Sequence, residues 1–139
     1  MAIIQSNLIL NKVPAATADD MDVVAVRGEA LLAAPLVAGD IIEMAIVPAG
    51  SRIVDVTVDT SAAIGSASAE VADPIAGTAA LAITAAALNG IARMNNPAAV
   101  QALSKVTDQM ATVTSTVGGG AAGTVVGLTV SYRNIRQGE

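Results

Sequence analysis

Residues 41–59 read IIEMAIVPAGSRIVDVTVD, and the fold class turns on this stretch. In Ile41–Val47, Ile42, Met44 and Ile46 fall on one face and Glu43 on the other. In 52–59, Val54, Val56 and Val58 share a face, with Ile53, Asp55, Thr57 and Asp59 opposite. Strict alternation is the mark of a half-buried strand. Between the runs stands Pro48-Ala49-Gly50, where Pro fixes a negative φ and Gly permits a positive one, so the chain turns. The expectation is a β-hairpin.

Outward from this stretch the same pattern recurs. Residues 109–117 (QMATVTSTV) are rich in Thr and Val, which suit a pleated surface. In 124–132, Val126, Leu128, Val130 and Tyr132 share a face, with Tyr132 expected toward the core. A glycine-rich connection, 118–123, is expected to join these two runs as a second hairpin. Weaker strands are read at 3–10, at 23–26 and 30–36 around a turn at Gly28, and at Ser66–Ala72. The total is about eight short strands, the count of a β-sandwich or jelly roll. Two segments read as short helices. Residues 79–88 place Leu81, Thr84, Ala85 and Leu88 at helical spacing before Asn89-Gly90, and Asn96-Pro97 resembles a cap and first helical residue leading into 98–105. The expected fold is all-β: one jelly-roll-like β-sandwich domain over residues 1–139 with at most two short helices. Residues 1–11 serve either as an N-terminal arm or as an edge strand.

Composition excludes much chemistry. The 139 residues include no Cys, His, Trp or Phe, and Tyr132 is the one aromatic side chain. Disulfides, Cys/His zinc sites and Cys or His nucleophiles and bases are ruled out. A formal net charge of -5 opposes nucleic-acid binding, which needs a basic stripe to release counterions. Mean hydropathy is high at +0.63. The uncharged run 74–92 approaches the roughly 20 residues that cross a bilayer, but it is mostly Ala interrupted by Gly77, Thr78, Thr84, Asn89 and Gly90. It is therefore read as interior and not as a membrane span. The first residues have neither the basic start nor the apolar core of a signal peptide. A hydrophobic content of 53% with only 14% charged residues suits a chain whose surface is covered by neighbours, because a lone molecule keeps large apolar patches off its surface.

Several constellations have bland readings that outweigh the chemical ones. Gly118, Gly120 and Gly123 match G-x-G-x-x-G, yet a strand follows where a dinucleotide site needs a helix. Asp19, Asp20 and Asp22 lack the Gly and closing Glu of a calcium loop and read as a solvated turn. Asp55 and Asp59 share a strand face, the ordinary solubility pattern. Ser104 and Lys105 are adjacent and so point apart. No catalytic, metal or cofactor site is expected. The candidate contacts are apolar Ile3, Ile4, Leu8 and Leu10 in the N-terminal segment and basic Arg133 and Arg136 after the last strand, the basic pair suiting acidic groups on a partner.

The run GDIIEMAIVPAGSRIVD at 39–55, with its Val-Pro-Ala-Gly turn, resembles small structural proteins of tailed bacteriophages, a group that includes the decoration or cement proteins of the phage head. So does GTVVGLTVSY at 123–132, a Gly/Ala-rich turn before a last strand ending in Thr-Val-x-Tyr. The resemblance covers 39–59 and 109–133, and the Ala-rich middle, 76–105, has no place in it. It implies a jelly-roll-like sandwich on the outer surface of a virion, made in the host cytoplasm. Such a protein bridges major capsid protein subunits and associates with itself as a dimer or trimer, without membrane, nucleic acid or cofactor. Competing readings are another virion part (tail tube, head–tail connector or fibre base), a carbohydrate-binding module and an enzyme. The first predicts rings, the second needs aromatic stacking that only Tyr132 could supply, and the third finds no supporting constellation.

Overall fold

Alternating apolar residues are realised as nine strands in two facing sheets. The computed structural model describes residues 2–12, 14, 23–72, 79–101 and 108–134. The elements in chain order are β1 (Ile3–Gln5), α1 (Asn7–Leu10), β2 (Val23–Leu31), β3 (Ile41–Val47), β4 (Ser51–Thr60), β5 (Ser66–Ala72), β6 (Ala79–Ala87), β7 (Ile91–Arg93), α2 (Pro97–Gln101), β8 (Gln109–Ser115) and β9 (Val125–Asn134). One sheet has the order β1-β3-β8-β5-β6 and the other β2-β9-β4-β7. All pairings are antiparallel except β1 with β3. The all-β sandwich expected from the alternation is what forms.

The expected hairpins do not form. β3 pairs with β1 and β8, whereas β4 pairs with β9 and β7 in the opposite sheet. Pro48-Ala49-Gly50, with Gly50 at φ +79°, is thus an arch over the end of the core. β8 and β9 likewise lie in opposite sheets, so 116–124 is a second arch. Alternation shows that a strand has one buried face. It does not show whether the next strand lies beside it or across the core. Of all successive strands, only β5 and β6 share a sheet, where they pair.

Three further corrections concern local structure. Gly28 is no turn but lies within the continuous strand β2. Residues 79–87, read as helical, form β6: tertiary pairing with β5 overrides the weak helical preference of Ala. Residues 3–10 split into a short edge strand and one helical turn. The helix expected after Asn96 does begin at Pro97, and its described part ends at Gln101.

Two bulges tune the faces. In β4 the register shifts between Ile53 and Asp55, so Ile53 turns inward and Val54 outward. In β3 a shift between Glu43 and Ala45 leaves Met44, Ala45 and Val47 buried and Ile46 half-buried. The core between the sheets is formed by Ile42, Met44, Val113, Ile53, Val56 and Leu128, closed at one end by Tyr132, which is fully buried as expected. Each such aliphatic side chain contributes about 1.5–3 kcal/mol.

Candidate interaction surface

The N-terminal segment is fastened to its own sandwich. β1 lies parallel to β3 in the register Ile3↔Ile41, Ile4↔Ile42 and Gln5↔Glu43. Buried Asp40 holds its start: Oδ1 accepts the Ala2 N–H at 2.8 Å and Oδ2 the Val37 N–H at 2.9 Å. These two backbone donors hold the Asp40 carboxyl below its ordinary range. Beyond β1, the Ser6 N–H donates to Glu43 O at 2.8 Å, and the buried Ser6 hydroxyl donates to Met44 O. Asn7 Oδ1 accepts the Glu29 N–H at 2.8 Å, so α1 covers part of the free edge of β2. Ile4 and Leu8 pack against the core, whereas Ile3 and Leu10 are exposed. Of the two candidate pairs, the structure thus leaves one residue of each open to a partner.

The two broad faces differ in charge. The five strands of the β1-containing sheet hold Glu43 and Glu70 but no Lys or Arg. The other sheet holds Arg27, Arg52, Arg93 and Arg133, all on its outer face because Gly28, Ile53 and Tyr132 beside them point inward or are buried. Arg27 reaches across Gly127 to grip Asp59, with Nη2 to Oδ1 at 2.7 Å, and its Nε donates to Glu29 at 3.0 Å. This fork lowers the Asp59 pKa and raises that of Arg27. Arg93 Nη2 donates to Asp55 at 3.0 Å. Asp55 and Asp59 do share the outer face, but each is held by a different arginine and they form no acid–base pair. Arg52 and Arg133 stand directly opposite each other on β4 and β9, an arrangement of like charges that composition alone could not reveal. Arg136, Asp19, Asp20, Asp22, Ser104 and Lys105 lie outside the described residues.

At one end of the sandwich, four connections are stitched together by main-chain hydrogen bonds. Leu36 and Gly119 exchange N–H···O bonds of 2.8 and 3.0 Å. Ser61 N–H donates to Val125 O at 3.0 Å, Ile64 N–H to Leu88 O at 3.0 Å, and Thr60 N–H to Gly90 O at 2.8 Å. The glycine-rich run belongs here. Gly118 has φ +80°, and a Cβ there would lie 2.8 Å from Leu36 O, so only glycine lets the two loops touch. The run leads into β9 and not into a helix, so it has no anion-binding helix end. Among the described residues, no group of three or more His, Cys, Asp or Glu could hold a metal, and no helix is long and apolar enough to cross a membrane.

The arrangement offers surfaces for contact and no assembled chemistry. Its likeness to solved structures points the same way. A chain in the capsid of Ralstonia phage GP4 matches with a TM-score of 0.77 at 22% identity, over 97% of this chain and 99% of that chain. This is a fold found in a phage capsid. A chain of the cyanophage Pam1 capsid asymmetric unit matches with a TM-score of 0.59 at 14% identity, over 88% of this chain and 93% of that chain. No family model and no curated relative matches the chain.

Proposed function

We propose that this chain is a non-enzymatic structural protein of a tailed-phage virion: a decoration or cement protein on the outside of the head that bridges major capsid protein subunits. The observation that carries the reading is the end-to-end match with the GP4 capsid chain, which covers 99% of that chain. The capsid component with this fold is therefore itself a sandwich of this extent, and not a domain within a much larger shell subunit. The turn and strand pattern at 39–59 and 123–132 supports the same assignment.

A cement acts through several modest contacts made at once, each raising the effective concentration for the next. Exposed Ile3 and Leu10 supply apolar contact beside the β1 edge. Arg133, with Arg52 opposite and Arg136 following in sequence, supplies positive charge for acidic groups on the shell.

The test is co-sedimentation of the purified chain with expanded shells of its phage that lack it, beside free capsid subunits. Saturable binding to shells only, with a raised shell-disruption temperature, is the expected result. Binding to neither, or assembly of the chain into tail-like rings in negative stain, overturns the reading. The variant Arg133→Glu is expected to weaken shell binding, most visibly at low salt, where electrostatic contacts are strongest.

A further inference from the structure

The stitched end of the sandwich has a property that no other surface of the described molecule shares. Its connections, 32–40, 61–65, 88–90 and 116–124, contain no charged side chain except Asp40, which is buried and already bonded to Ala2 and Val37. Four of the most exposed large apolar side chains lie in or beside these connections: Val37 at 64%, Val117 at 66%, Leu31 at 67% and Ile91 at 77%. The rest of the accessible surface there is Ala, Gly, Ser, Thr, Pro and Asn. Its extent is comparable with the roughly 20–30 residues each partner gives to a standard interface. The reciprocal main-chain bonds hold the loops in place before any partner arrives, so binding would order little.

We infer that this end is the contact between two copies of the chain, packed end to end about a two-fold axis. Charge decides the occupant. In a two-fold contact each patch meets itself, so any net charge on the patch meets its like. The β1-containing sheet would oppose Glu43 and Glu70 to their own copies, and the other broad face would oppose Arg52 and Arg133 to theirs. In a molecule of net charge -5, the uncharged end is where a second copy can dock without repulsion. Val37 and Val117, on loops joined by the Leu36–Gly119 pair, form the centre, with Leu31 and Ile91 toward the rim. The inference is independent of the capsid reading, because the contact is measured on purified protein without shells.

Sedimentation equilibrium on the wild-type chain and on Val37→Asp, Val117→Asp and the control Ala25→Asp tests it. Ala25 lies on the exposed edge strand of a broad face, away from this end. The expected result is a dimer whose dissociation constant hardly changes with salt. Each end variant raises that constant on the order of a hundredfold, since like charges would be juxtaposed, while Ala25→Asp leaves it alone. Circular dichroism confirms that the variants remain folded. Because the chain has no Cys, Val117→Cys supplies a single thiol, expected to crosslink two copies with a short bis-maleimide. A wild-type monomer at about 100 μM, well above a micromolar dissociation constant, overturns the inference. So does an oligomer that survives both end variants or falls apart with salt. If the wild type is monomeric and Val117→Asp abolishes shell binding instead, the end faces the shell, and the inference fails while the capsid reading stands.

Discussion

At the scale of single residues, two glycines inside strands look alike in sequence and behave differently. A Cβ on Gly28 would overlap the main-chain carbonyl oxygen of Met44, where β2 leans across to β3. A Cβ on Gly127 would meet the guanidinium of Arg27, the far end of a flexible side chain. Backbone cannot swing aside, but an exposed arginine can. Gly28→Ala is therefore expected to lose about 1–3 kcal/mol or more, as overpacking does. Gly127→Ala should lose under about 1 kcal/mol, since it costs little beyond a partly exposed ion pair. Urea unfolding of the two variants beside the wild type measures the contrast, and equal losses would contradict the close approach at Gly28. The sequence marked Gly28 as special, but the obvious reading of a glycine is a turn. Close approach of another backbone leaves no trace in neighbouring residues.

At the scale of elements, Asp40 decides whether the N-terminal segment stays home. Its carboxylate joins the start of β1 to the turn before β3. Because its folded pKa lies below the ordinary aspartate value of 3.8, the stability it adds is complete above that value and disappears as pH falls through the folded one. Asp40→Asn is expected to lower the urea midpoint at neutral pH and to flatten its decline below about pH 4. Amide exchange at Ile3–Gln5 should speed up in the variant while β9 stays protected. An unchanged acid limb would mean that the clasp does not hold β1.

The elements also show what the sequence could convey. β3, β4, β5, β8 and β9 were legible because Val, Ile and Thr alternate there with polar residues. Their partners were not legible, since Pro48-Ala49-Gly50 serves a hairpin or an arch equally well. β6 was misleading because Ala fits both periods, and only its pairing with β5 settles the matter. For the surfaces, exposed Ile3 and Leu10 were readable as unsupported apolar residues. The uncharged end was not, since its four pieces are scattered along the chain and only the fold collects them.

At the scale of the whole molecule, the two sheets depend on each other. The core lies between them, so neither buries its apolar face alone. Unfolding by urea is expected to be a single transition, with far-ultraviolet circular dichroism and the fluorescence of Tyr132, the one aromatic reporter, coinciding. Divergent curves would separate the sheets energetically. Strands adjacent in sequence mostly pair with distant ones, so refolding should take milliseconds to seconds, as for other sandwiches. That same weaving has a mechanical result. Peeling any strand except β5 or β6 drags its sequence neighbour on the opposite wall, so a tug on the chain cannot unravel one row at a time. Load is shared between the walls in shear, and lifetime under tension is set by the rate of that concerted rupture.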